Sequence, residues 1–132
     1  MKQPRLINIA IVDDNAFIRE TVKFQLKLLG YNVVVEAENG REFLDKLTSD
    51  ITPDICVMDI NMPIMDGLET TAYLKKIKSA IKVIFFSSED STEFAPKGLA
   101  LGAEGFIAKD APFAELNNML LSVLSRPQQR VA

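Results

Sequence analysis

Histidine is absent from the 132 residues, tryptophan is absent, and cysteine occurs once. Without imidazole, histidine-containing zinc sites, serine–histidine or cysteine–histidine nucleophile pairs and a phosphohistidine carrier role are all excluded. The single thiol, Cys56, has no intrachain disulfide partner. It lies in the apolar run Ile55-Cys56-Val57-Met58, which points to a small buried hydrophobe rather than a reactive group. Glycine and proline number six each, too few for a low-complexity or fibrous chain. No apolar run approaches a membrane span, and Met1-Lys2-Gln3-Pro4-Arg5 is not followed by the apolar stretch of a signal peptide. The cytoplasm is therefore the expected location. A net charge of −3 lacks the basic footprint of a nucleic-acid-binding domain, so no direct contact with DNA or RNA is expected, and none with a membrane.

What is present is ordinary for a globular domain: 48% hydrophobic and 25% charged residues. The length suits one core that buries roughly two-thirds of the unfolded chain's surface. Apolar β-like runs alternate with helical patterns. Strands are expected over residues 6–12, 33–35, 55–59, 83–86 and 105–108. A helix follows each of them. The first carries Ile18, Val22, Leu26 and Leu29 at helical spacing, with Phe17, Phe24 and Leu28 widening the same apolar face, and Gly30 as its stop. Asn39-Gly40 opens the second helix, with Phe43, Leu44 and Leu47. The third carries Leu68, Thr71, Ala72 and Ile77. The fourth, residues 91–101, is weak because Pro96 and Gly98 disfavour a helix interior. Pro112 starts the last, with Phe113, Leu116, Leu120 and Val123 on one face. Five such units imply a doubly wound α/β fold: a five-stranded parallel sheet of order 2-1-3-4-5 with helices on both faces, flavodoxin-like. One domain over residues 1–125 and a polar tail or linker over 126–132 complete the expectation.

Ligands of such sheets bind outside the carboxyl ends of the strands. Asp13 and Asp14 follow the first strand, Asp59 ends the third, Ser87 follows the fourth and Lys109 the fifth. Singly, each has a bland reading as a helix cap, a turn residue or a solvated lysine. Together, three carboxylates converging on one rim repel unless a cation offsets them. The chemistry that uses this set is phosphoryl transfer to a carboxylate, with Asp59 as the nucleophile. Asp14 and Asp59, with a backbone carbonyl such as that of Asn61, suit Mg²⁺, and Asp13 supports that shell. Lys109 and the metal neutralise the phosphoryl oxygens, and Ser87 donates its hydroxyl to one of them.

These residues resemble a known family. Asp13-Asp14, the run Asp59-Ile60-Asn61-Met62-Pro63-Ile64-Met65-Asp66-Gly67, and Gly102-Ala103-Glu104-Gly105-Phe106-Ile107-Ala108-Lys109 are similar to the receiver domain of two-component response regulators, over roughly residues 6–124. Ile64 stands where glycine is frequent and Ser88 where alanine is common. The resemblance implies Asp59 as phosphoacceptor, Asp13 and Asp14 as the acidic pair, Ser87 as the hydroxyl switch, Lys109 as the partnering lysine and Phe106 as the aromatic switch. It implies a histidine kinase or phosphotransfer protein as donor, and output through the face of α4, β5 and α5. Lys109-Asp110, in place of Lys-Pro, is similar to LuxR/NarL-type regulators, which implies transcription regulation through an effector outside this chain. Asn61 and Glu89 flank the site and are expected to tune hydrolysis by admitting or blocking water. Homodimerisation through helix one or helices four and five is compatible with the pattern. Two rival classes fit less well. A haloacid-dehalogenase-type phosphatase wants a second acid where Asn61 stands. An FMN-binding module wants a glycine- or hydroxyl-rich phosphate loop where Asp13-Asp14-Asn15 stands.

Overall fold

A computed structural model describes residues 6–126. Ten elements alternate: β1 (Asn8–Val12), α1 (Ala16–Leu28), β2 (Asn32–Ala37), α2 (Gly40–Lys46), β3 (Ile55–Met58), α3 (Gly67–Ile77), β4 (Lys82–Ser87), α4 (Ser91–Ala100), β5 (Gly105–Ala108) and α5 (Phe113–Ser125). All pairings are parallel, in the order β2-β1-β3-β4-β5, as the sequence predicts. Beyond Arg126, the expected tail lies outside the described residues.

Alternation along the strands splits the core into two layers, because successive side chains point to opposite sheet faces. Ile9, Ile11, Ile55, Val57, Ile84 and Phe86 face Val22 and Leu26 of α1 and Leu116, Leu120 and Val123 of α5. Ala10, Val12, Cys56, Met58, Val83 and Phe85 face the other side, with Phe43 of α2, Leu74 of α3 and Phe94 of α4. Cys56 is fully buried, and burial pushes its thiol far up from the ordinary range, which suits the hydrophobe reading and disfavours reactivity.

Two helix faces depart from expectation. Phe17, Phe24 and Leu28 do not widen the buried face of α1. They are 77%, 65% and 72% exposed, and Leu29 is half exposed. At about 100° per residue, Val22 and Leu26 lie on one side of the helix and Phe17, Phe24 and Leu28 on nearly the opposite side. In α3, Ile77 is half exposed, and the buried face is carried by Thr70, Thr71 and Leu74. The fourth helix runs unbroken through Pro96. Gly98 lets it lie directly on the sheet, since a Cβ there would sit 2.5 Å from the Phe85 ring. Low helix preference and close packing thus come from the same residue.

Candidate functional site

The carboxyl ends of β1, β3, β4 and β5 meet at one rim, where the strand order reverses. α1 is capped by Asn15, whose side chain accepts the Ile18 amide. Neither Asp13 nor Asp14 is used as that cap, so both remain available for the rim. Asp13 is 2% exposed. One of its oxygens accepts the Asn15 amide at 2.9 Å, and the other lies 2.7 Å from Lys109 Nζ. The same ammonium donates to Asp59 Oδ2 at 3.1 Å. Asp59, 6% exposed, accepts its neighbour Ile60's amide through Oδ1. Ligand oxygens of Asp13, Asp14 and Asp59 all lie within 4.8 Å of one another. Ser87, fully buried, ends β4, and its Oγ accepts the Glu89 amide at 3.0 Å. Its carbonyl accepts the Lys109 amide at 2.9 Å, which ties the β4 and β5 ends together.

Burial raises Asp59 above the ordinary carboxylate value of 3.8, the nearby Asp13 charge adds to the rise, and Lys109 only partly offsets it. Burial alone would lower Lys109. Its bonds and charge attraction to Asp13 and Asp59 outweigh that, and its value ends above 10.5. A carboxylate that resists ionisation beside another carboxylate is a setting that a further cation relieves. The donor set also fits one: three hard oxygens with no nitrogen or sulfur match Mg²⁺-like ions. The buried Asp13 Oδ2 receives no well-directed hydrogen bond beyond its ion pair with Lys109.

Metal affinity is therefore expected to fall with acidification, because protonating Asp59 removes a ligand charge. The fall should begin above the usual carboxylate range, since the folded-state value is raised. NMR titration with Mg²⁺ across about pH 4 to 8 checks this, and a pH-independent affinity would contradict it.

Two residues that follow Asp59, Gly67 and Ile64, meet specific backbone demands in the fold. Gly67 starts α3 against the phosphoacceptor candidate's own backbone: its amide bonds Ile60 O at 2.7 Å, and a Cβ would lie 2.1 Å from Asp59 O. Gly67→Ala should therefore displace Asp59 and destabilise the fold by about 2 kcal/mol, as overpacking against rigid backbone does. Urea denaturation measures it, and an unchanged midpoint would refute the close approach. Ile64 has φ 72°, with Met65 N bonded to Pro63 O at 2.7 Å around it. This left-handed backbone is one that glycine adopts most easily, although Ile occupies it here.

Arg19 was not singled out by its sequence position, because a basic residue in a helix usually reads as solvated surface. Its guanidinium donates to the Asp13 carbonyl at 2.7 Å and lies 3.7 Å from Glu38, which steadies the β1–α1 loop. Asn61 is exposed and its amide donates to Glu89, so these two residues bridge the β3–α3 and β4–α4 loops. Phe106 is half-buried, in register with Phe85 and packed on the α2–α4 side of the sheet.

With this geometry, three comparisons agree. The profile of the response regulator receiver domain matches residues 9–121. A putative transcriptional regulator of Pseudomonas aeruginosa is 38% identical over 82% of this chain and 52% of its own length. A LuxR-family two-component response regulator from Aurantimonas sp. SI85-9A1 superposes with TM-score 0.85 at 31% identity, over 92% of this chain and 86% of that one. The CheX–CheY–BeF3–Mg²⁺ complex from Borrelia burgdorferi gives TM-score 0.85 at 27% identity, over 91% and 90%. The chain belongs to the response regulator receiver domain family, a class of phosphoacceptor signalling modules with the flavodoxin-like sheet order found here. It spans about half the length, or less, of the first curated relatives it matches. The acidic trio fits the family's metal site, and no described helix is long and apolar enough to cross a membrane.

Proposed function

We propose that Asp59 is the phosphoacceptor, loaded by a sensor histidine kinase or a phosphotransfer protein in the cytoplasm, and that this chain catalyses its own phosphorylation and dephosphorylation. The observation that carries the reading is the single ammonium of Lys109 held between Asp13 and Asp59 at the sheet's switch point. An Asp59 carboxylate oxygen attacks the phosphorus, the donor's P–N or P–O bond breaks, and the electron pair leaves with the donor. Lys109 offsets charge on the phosphoryl oxygens, and the Ser87 hydroxyl turns from its local role to donate to one of them. Asp14, Asp59 and the Asn61 carbonyl would hold Mg²⁺, with Asp13 supporting them. When bound, the ion supplies charge neutralisation.

The phosphoryl group carries a charge near −2 and strong acceptor oxygens. Drawing Ser87 toward it frees space beside β4, and Phe106 is the aromatic that follows inward. α4, with Pro96 inside it, is the element whose packing answers. Output then runs through α4, β5 and α5 to an effector outside this chain, with transcription regulation as the result. The similarity to LuxR-family structures supports that output. Residues 1–125 are assigned to the receiver and 126–132 to a C-terminal tail or the start of a linker. The Asn61–Glu89 bridge over the site governs how readily water reaches the acyl phosphate. Homodimerisation is compatible with this scheme.

Beryllofluoride with Mg²⁺, which mimics the phosphoryl group, should shift the amide resonances of Asp59, Ser87, Phe106 and Lys109 together, with changes extending into α4. Shifts confined to Asp59 and its neighbours would refute the switch, because the ligand would then bias no second packing state.

A further inference from the structure

We propose that Arg19 is a positioning residue for Asp14, the exposed carboxylate of the metal site, and that it biases this site toward Mg²⁺ over Ca²⁺. Asp13 is held at each of its polar atoms. Its amide donates to Ala37 O at 3.0 Å, its Oδ1 accepts the Asn15 amide at 2.9 Å, and its Oδ2 lies 2.7 Å from Lys109 Nζ. Its carbonyl accepts the Arg19 guanidinium at 2.7 Å. Asp14 is the opposite case. It is exposed, and among the described residues its carboxylate has no hydrogen bond or ion pair. Before an ion arrives, only the chain on either side of it aims that carboxylate.

Both flanking peptides are fixed. A peptide unit is planar, so the Asp13 carbonyl and the Asp14 amide turn together. By holding that carbonyl, Arg19 sets the direction in which the chain enters Asp14. On the far side, the Asn15 amide is held by Asp13 Oδ1, and the Asn15 carbonyl accepts the Arg19 amide at 3.0 Å. The guanidinium is itself constrained: its side chain is 15% exposed, its other terminal nitrogen lies 3.7 Å from Glu38 Oε1, and it rides on the first turn of α1. Suspending Asp14 between two fixed peptides lessens the ordering that binding must impose. The benefit depends on the ion. Mg²⁺ demands near-ideal octahedral geometry at short distances, whereas Ca²⁺ accepts longer and more variable coordination. A carboxylate aimed by its backbone thus favours the smaller ion.

Charge alone predicts the reverse. A guanidinium beside three carboxylates repels an incoming cation, so deleting a purely electrostatic Arg19 would strengthen metal binding, and the uncovered Glu38 would add to the attraction. The two roles therefore differ in sign. Positioning by Arg19 rests on the metal-assisted reading of the rim proposed above.

The test is NMR titration of the full chain with Mg²⁺ and, separately, with Ca²⁺, for the parent, Arg19→Met and Arg19→Lys. Methionine keeps an apolar stem against the loop and has no donor. Arg19→Met should weaken Mg²⁺ binding roughly tenfold, the scale of losing a group that orients a ligand. Ca²⁺ binding should weaken distinctly less, so the preference for Mg²⁺ falls. Arg19→Lys, whose ammonium can still donate to the Asp13 carbonyl, should recover most of the Mg²⁺ affinity. At saturating Mg²⁺ the rate of labelling by acetyl phosphate should match the parent, because the bound ion then imposes the aim of Asp14. A folding defect would lower both affinities alike, and urea midpoints would report it. A Mg²⁺ affinity that rises or holds in Arg19→Met, or an equal fall for both ions, would overturn the proposal. Absence of Mg²⁺ binding by the parent would remove the metal-assisted reading, and this role with it.

Discussion

Lys109→Ala is expected to lower the free energy of unfolding by about 3 kcal/mol in metal-free buffer, the range found when one partner of a buried ion pair is removed. The reason is local. The Lys109 side chain is 15% exposed, and it sits 2.7 Å from Asp13 and 3.1 Å from Asp59, whose side chains are 3% and 8% exposed. Truncation leaves two buried carboxylates facing each other with no counter-ion. Lys109 also has a raised folded-state value, so the stability it contributes is present below the unfolded value of a lysine and is lost as pH rises through the folded one. The deficit of the variant should therefore narrow in strong alkali. Mg²⁺ should restore part of it, since the freed carboxylates gain a cation in the ammonium's place. Labelling by acetyl phosphate should nonetheless fall by about 100-fold or more, the usual effect of deleting a donor aimed at developing charge. Denaturation at two Mg²⁺ concentrations, paired with a labelling time course, measures both effects. Unchanged stability would mean that the ion pair is solvated and idle.

Asp59→Asn should act in the opposite direction on stability. Burial and the Asp13 charge disfavour ionised Asp59 in the fold. For a carboxyl group raised in this way, stability is lost as pH climbs from the unfolded value through the folded one. At neutral pH, neutral asparagine should therefore stabilise the metal-free protein by about 1 kcal/mol, within the ordinary span of single substitutions. That advantage should vanish below pH 3.8 (the ordinary carboxyl value), where the parent is neutral too. With Mg²⁺ the order should reverse. An ion at 100 times its dissociation constant stabilises the parent by about 2.7 kcal/mol. The variant has lost a carboxylate that would hold the ion, and outer-shell losses alone typically weaken metal affinity by about 10–100-fold. Thermal melts of both proteins with Mg²⁺ and with chelator would show the crossing. A variant less stable than the parent in chelator would contradict the repulsion argument.

Much of this was legible from residues because strands and strand ends are local features. The apolar runs that became β1 to β5 are short and bounded by polar residues, so the sheet order and the meeting of Asp13, Asp14, Asp59 and Lys109 followed from doubly wound topology alone. Buried Cys56 was readable for the same reason. α1 was not. Periodicity finds apolar residues on a helix, but with apolar stripes on two sides it does not say which meets the sheet, and Phe17, Phe24 and Leu28 fell on the outside. Ile77 gave way to Leu74 in α3 for a related reason. Long-range polar contacts were equally hidden. Arg19 to Asp13 O and Asn61 to Glu89 join loops that only the finished fold brings together. The cap of α1 shows a finer limit: three consecutive residues could each cap a helix, and backbone geometry chose Asn15. Pro96 and Gly98 led the sequence to an expectation of a weak fourth helix, and α4 nonetheless runs unbroken through both. That Gly98 seats the helix on Phe85 is tertiary information.

The most direct test is the intact mass of the chain after exposure to acetyl phosphate, with Mg²⁺ and with chelator. One phosphoryl adduct should form in Mg²⁺, vanish on brief alkali treatment as an acyl phosphate does, and be absent both in chelator and from the Asp59→Asn protein. An adduct of the same yield in the Asp59→Asn protein, or in chelator, would contradict a metal-assisted transfer to Asp59.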